Sequence, residues 1–213
     1  MSTITVSPAT AFSAAETRML LASDGSTTLL LQALLGRRLH LEVPYQSRFL
    51  ALEFPHEIRA AIEADPHHEL LVRHSELRTE SGAVVSRNLV VANAEQRGAM
   101  YGLLGDRRTP LGHGLIALGL SQSRRLIASG LDHWEADGSA ARCAFKSYVL
   151  SESGVPSIYI HERFNPEFVP ADRAPAATAL DAPRASAAVP EDGTRIDDYA
   201  ILRRAGEQWD DRP

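Results

Sequence analysis

Residues 69–77, ELLVRHSEL, and 84–92, VVSRNLVVA, each alternate apolar and polar side chains, and a turn containing Glu80-Ser81-Gly82 separates them. Alternation over that length followed by turn chemistry is the signature of an antiparallel hairpin. Everything else in the chain is read from this pair. A second hairpin is expected where Ala140–Leu150 and Ser157–Glu162 flank the turn Ser151–Pro156, and Leu39–Tyr45 alternates as a further strand.

Between the strands lie helical stretches. Residues 13–23 form a short amphipathic helix, and Asp24-Gly25-Ser26 ends it and caps the next, Thr27–Leu35, which Gly36 closes. Pro55–Ala64, Ala94–Leu104 and Leu115–Ser129 complete the set, the last stopped by Gly130. Because the strands come in hairpins and do not alternate with crossover helices, the expected fold is α+β, an antiparallel sheet with helices packed against it. Residues 1–170 make that domain, 171–195 are an Ala/Pro-rich linker, and 196–213 are a tail with a possible short helix at Ile196–Trp209.

The totals suit one domain of ordinary size. The chain has 213 residues, 44% of them apolar and 23% charged, with a net charge of −5. That balance gives no global attraction to nucleic acid or to an anionic membrane. All but one of the 22 Lys+Arg are arginine, a bias that a GC-rich genome explains; Lys146 is the single lysine. One cysteine, Cys143, rules out an internal disulfide and a cysteine metal cluster, and its strand-like surroundings suit a buried, inert thiol. The start of the chain lacks the pattern of a signal peptide, and the longest apolar run, Leu29–Leu35, is too short to span a bilayer. These features predict a cytoplasmic protein.

No GxSxG, Walker loop, Rossmann glycine pattern or HExxH occurs. The adjacent pair His67-His68 would point to opposite sides near a strand start, a poor chelate, so no metal site is expected. Three features could carry chemistry. Leu71, Arg73 and Ser75 share one strand face, and Val85, Arg87 and Leu89 share one on the next strand. If both faces look inward, two guanidiniums need carboxylate partners, and a ligand carboxylate would suit their fork geometry. The alternative is that these arginines face water or pair with Glu76 or Glu95. Ile158, Ile160 and Glu162 form a second row ending in a carboxylate, either a general acid or base or a rim salt bridge to Arg163 or Arg142. Thr109–Gly114 (TPLGHG) is either a tight loop or one whose backbone amides approach a ligand.

Taken in order, these segments resemble the chorismate pyruvate-lyase superfamily, in particular its actinobacterial branch that makes 4-hydroxybenzoate. The matching stretches are LLASDGSTTLLLQALLGRRLHLEV, the arginine-bearing hairpin, the PLG loop, SQSRRLIASG, and ARCAFKSYVLSESGVPSIYIHERFNP, within residues 15–170. The resemblance implies a chorismate lyase-like fold and a lyase that removes pyruvate from chorismate to leave 4-hydroxybenzoate, in quinone or secondary-metabolite biosynthesis, with no cofactor. Arg73 matches the arginine that holds the ring carboxylate, and Glu162 the acid beside the ring hydroxyl. Arg87 and either Arg124 or Arg125 would face the departing enolpyruvyl carboxylate, with Leu111 and Gly112 at the other end of the ring. Where the family's loop often carries a charge after PLG, this chain has His113-Gly114. Two further uses of the fold are a cyclase acting on a larger apolar substrate and a non-catalytic small-molecule-binding domain. In regulators the latter normally follows a winged-helix DNA-binding domain, for which the first 25 residues are too few. The expected partner is a small molecule, chorismate or a related carboxylate, with neither nucleic acid nor membrane.

Overall fold

A computed structural model describes residues 11–96, 98–119, 122–136 and 139–172. Six strands, β1 (His40–Leu50), β2 (Glu69–Arg78), β3 (Val84–Asn93), β4 (Gln122–Ala136), β5 (Ser139–Glu152) and β6 (Val155–Phe164), form one sheet in the order β1-β2-β3-β6-β5-β4. Every neighbouring pair is antiparallel. The predicted α+β class and both expected hairpins are present. In the β2–β3 turn the Thr79 N–H donates to Ala83 O at 2.9 Å and Gly82 takes φ +87°. The β5–β6 turn is two residues, Ser153 and Gly154, both at positive φ, the arrangement that matches strand twist best.

Five helices accompany the sheet: α1 (Ala15–Ala22), α2 (Thr27–Leu35), α3 (His56–Ala61), α4 (Ala99–Gly102) and α5 (Leu111–Ala117). Ser26 caps α2, its hydroxyl accepting from the Leu29 N–H, and Gly36 at φ +62° ends it as expected. Three apolar clusters hold the layers together. Phe12, Leu21, Leu31, Leu77 and Phe164 pack α1 and α2 on one end of a sheet face. Val90, Met100, Leu104, Leu115 and Ile158 pack α4 and α5 on the other end of that same face. On the reverse face α3 brings Ile58 and Ile62 onto Leu70, Val72 and Tyr159.

One prediction is corrected. The expected helix Leu115–Ser129 is only α5, which stops before Gly119 at φ +60°, and the sequence from Gln122 is the strand β4. Gly130 is not a helix stop. It stands opposite Phe145, where an added Cβ would lie 3.1 Å from the ring, so the glycine makes room for an aromatic across the strands. Two other elements differ in length. β1 runs on to Leu50 through a bulge between Glu42 and Tyr45 that absorbs Pro44, and the Ala94–Leu104 helix shortens to α4 plus a 3-10 turn at Leu103–Gly105. The linker beyond Asp172 and the 196–213 tail lie outside the described residues.

Candidate functional site

The seam between the first and third clusters is not filled. A cavity of about 50 Å³ lies there, floored by inward side chains of β2, β3, β5 and β6 and roofed by the start of α2 and by Leu104 with Pro110–Gly112. Strand parity decides which side chains reach it. Arg73 stands across from Val90, Val90 across from Ile160, and Ile160 across from Tyr148. One step along, Ser75, Asn88, Glu162 and Lys146 form a second, polar row on the same face.

Arg73 is 2% exposed. Its Nη1 donates to Leu104 O at 3.4 Å and Asp106 O at 3.1 Å, which ties the roof to the floor. Among the described residues its Nε and Nη2 have no protein partner. Burial pulls its pKa below the ordinary value, and Arg107 adds to this while Asp106 opposes it. Glu162 lies two strands away and two residues along, roughly 12 Å in Cα separation from ordinary sheet spacings. Its Oε2 accepts from Thr27 Oγ1 at 2.7 Å and lies 3.9 Å from Lys146 Nζ. Asn88, between Arg73 and Glu162 on the floor, has a buried Oδ1 without a hydrogen bond.

Lys146 is the residue the sequence reading passed over. It is 1% exposed, donates to Leu20 O at 3.1 Å and Ser23 O at 3.4 Å, and so holds the end of α1 against Glu162. Burial depresses its pKa, and the Glu162 carboxylate holds it back up. The available signal was a lone lysine among arginines at an alternating position between Ala144 and Tyr148. Tyr148 is buried beside Glu162, and both desolvation and that carboxylate push its hydroxyl's pKa up.

The remaining expected residues divide by face. Arg124 lines the cavity, 5.4 Å from the Tyr148 ring, and donates to Gly25 O. Arg125, the next residue on the strand, is exposed and does not line it. Leu111 and Gly112 are in the roof, where a side chain on Gly112 would collide with the Ser26 hydroxyl that caps α2. Arg87 is on the reverse face. It pairs with Glu76 at 3.1 Å, directly across the strands, because β3 residues of odd number point away from Arg73. The inward pair of guanidiniums expected from Arg73 and Arg87 is therefore not assembled. Among the described residues no group of three His, Cys, Asp or Glu could hold a metal, and no helix is long and apolar enough to cross a membrane.

No family model matches this chain, and no curated protein matches it. Among solved structures it is similar to PhnF from Mycobacterium smegmatis, with a TM-score of 0.53 at 15% identity over 69% of this chain. The match covers 66% of PhnF, so the chain spans just under two thirds of that protein's length. The ligand-binding domain of a protein described as a GntR-family transcriptional regulator from Bordetella bronchiseptica gives 0.47 at 14% identity, over 62% of this chain and 85% of that one. The C-terminal domain of the histidine utilization repressor from Pseudomonas syringae pv. tomato gives 0.47 at 11%, over 70% and 100%. The fold is thus the chorismate lyase-like sheet expected from the sequence. The expected activity is corrected. Two of the named neighbours are described as a regulator's ligand-binding domain and a repressor's C-terminal domain and none as a lyase, so the carbon–oxygen lyase assignment is withdrawn, and chorismate, 4-hydroxybenzoate, pyruvate and the biosynthetic role with it. Arg87 also faces away from the cavity, so the expected set of substrate arginines is not assembled there.

Proposed function

We propose that this chain is a non-catalytic small-molecule-binding domain whose ligand is a compact carboxylate held between Arg73 and Glu162. The observation that carries the reading is Arg73, a buried guanidinium whose Nε and Nη2 are left over at the cavity. Leaving such donors unpaired is costly, and a carboxylate matches their fork. At the far end, Asn88 Oδ1 and the Glu162 carboxylate accept hydrogen bonds, so the ligand carries a hydroxyl or ammonium group opposite its carboxylate. The likeness to PhnF supports the scaffold, and the names of the weaker matches, a ligand-binding domain and a repressor domain, fit the same use.

The cavity is smaller than ordinary ligand sites of about 300–1,000 Å³, so binding must part the roof from the floor. Arg73 is the latch, because its bonds to Leu104 O and Asp106 O are the ones a ligand carboxylate would compete with. A panel of small carboxylates with and without a hydroxyl or ammonium group, screened by thermal shift and then calorimetry, tests this. At least one should raise the Tm of the natural chain, and Arg73→Met should lose the effect while Arg125→Met keeps it. Equal responses from both variants, or none from any carboxylate, would overturn the reading.

A further inference from the structure

Eight large apolar side chains stand exposed among the described residues, and four of them lie on two neighbouring helices: Leu29 and Leu34 on α2, Ile116 and Leu118 on α5 and its cap. α2 and α5 touch where Gly112 sits against the Ser26 side chain and where Gln32 Nε2 lies 3.5 Å from His113 Nε2. Ile116 is one turn on from Gly112 and His113, and Leu29 one turn back from Gln32, so the two flank that contact. Ala33, also exposed, continues the row from Leu29. Apolar residues scattered singly over a surface need no explanation, but a row shared by two helices marks a contact face.

The chain itself supplies an occupant of matching chemistry. Within residues 196–209, Tyr199, Leu202, Gly206 and Trp209 recur at helical spacing, with Asp197, Arg204 and Glu207 on the opposite side. Thr194 followed three residues later by Asp197 is a helix start signal. Residues 196–213 carry five carboxylates against three arginines, and Arg37 and Arg38 stand exposed just past the end of α2, so the charges complement one another. Reach decides in favour of the same chain. The Asp172 carbonyl accepts the Ser13 N–H at 2.9 Å beside the start of α1, the helix that packs on α2. α1 is eight residues long, so the exit at Asp172 lies roughly 20 Å from the start of α2. A flexible segment as long as 173–195 spans about 26 Å, and more with its three prolines. A linker matched to its span holds the tail at a millimolar effective concentration, which populates even a weak contact.

We propose that residues 196–209 of this chain dock as an amphipathic helix on the α2–α5 face, with Tyr199, Leu202 and Trp209 against Leu29, Ala33 and Ile116. Trp209 brings the largest apolar area to the contact. Docked there, the segment lies across the outside of the two helices whose starts roof the cavity. The docking is independent of what that cavity binds.

The test uses the full chain with a nitroxide spin label on Gln208→Cys, on the polar side of the segment, and isotopically labelled methyl groups read by nuclear magnetic resonance. Cys143 is fully buried and stays unlabelled. Expected is strong broadening of the Leu29 and Ile116 methyl signals, with Leu50 and Leu52, which flank the reverse-face cluster at Ala51, unaffected. Ile116→Asp, at an exposed position, should cut the docked population by about 10-fold or more, and the broadening with it, whereas Leu52→Asp should not. Trp209→Ser, in the segment itself, should have the same effect as Ile116→Asp without touching the body, and it decides where that variant loses the fold. Broadening that is absent from α2 and α5, spread evenly over the surface or centred on Leu50 and Leu52 would overturn the proposal. So would broadening undiminished in Trp209→Ser. Broadening that passes instead from a spin-labelled chain to a second, isotopically labelled one would seat a partner copy's tail on this face and overturn it too.

Discussion

Substituting Glu162 by Gln keeps the side chain's shape and its acceptor for the Thr27 hydroxyl, but leaves Lys146 as a buried cation without its carboxylate. At 3.9 Å and an effective dielectric of about 20 the lost attraction is about 4 kcal/mol. Lys146 keeps its bonds to Leu20 O and Ser23 O, and the glutamine is spared the cost of burying a charge, so a net loss of about 3 kcal/mol is expected near neutral pH. The deficit should depend on pH, with a sign set by Lys146. Its folded pKa lies below its ordinary value, so between the two the unfolded chain binds more protons and stability rises with pH. Glu162 holds that pKa up. Removing it widens the window toward neutrality, and the variant regains ground on the natural chain as pH rises. Urea melts at about pH 6, 7.5 and 9.5 should show the deficit shrinking by at least about 1 kcal/mol at the alkaline end. Lys146→Met alone strands Glu162 and should cost a similar amount, whereas the double variant should lose less than the sum by about 2 kcal/mol or more. A deficit flat across that pH range, or strictly additive losses, would refute the buried pair.

His74 should titrate with a midpoint near 4 by nuclear magnetic resonance. Its folded pKa is lowered from 6.5, so the unfolded chain takes the proton first, and about 3 kcal/mol of stability is lost as pH falls from 6.5 to 4. His74→Phe should flatten that acid slope in melts over the same range. The Cys143 thiol, fully buried and pushed up to about 12 chiefly by burial, should resist a thiol reagent at pH 8 in the native chain and react once the chain is unfolded in urea.

Much of the fold was legible because its signals are local. The β2–β3 alternation, the Ser26 cap, the Gly36 stop and the β5–β6 turn each depend on a few neighbouring residues, and each is where the sequence places it. β4 was not, because SRRLIASGLDHW carries apolar residues at spacings that suit a helix as well as a strand. What makes it a strand is the long ladder with β5, the next element of the chain, which pairs with it from Ala136–Ser139 out to Gln122–Glu152 and is not visible in the apolar spacing of β4 alone. Lys146 was missed for a related reason. A lysine reads as a surface residue, and only the register that puts Ala144, Lys146 and Tyr148 under α1 and α2 shows it to be buried.

The division of the arginines follows from one fact about pleated sheets, that a shift of a single residue sends a side chain to the other face. Arg73 and Arg87 were expected to share an interior because each lies in an alternating strand, but alternation says nothing of phase between strands. Phase is set by the pairing of Arg73 with Val90 and of Glu76 with Arg87, which the turn at Thr79–Ala83 and the bulge beyond Leu77 impose. The same rule divides Arg124 from Arg125 and Glu162 from Arg163, so arginines that sit beside an inward residue in sequence lie outside the Arg73 pocket. On the reverse face Arg87 and Arg163 meet each other, with Glu76 between Arg87 and Arg78. A chain with arginine in place of nearly every lysine thereby carries fork-shaped donors on both sides of one sheet, Arg73 and Arg124 at the cavity and Arg87 and Arg163 on the reverse face.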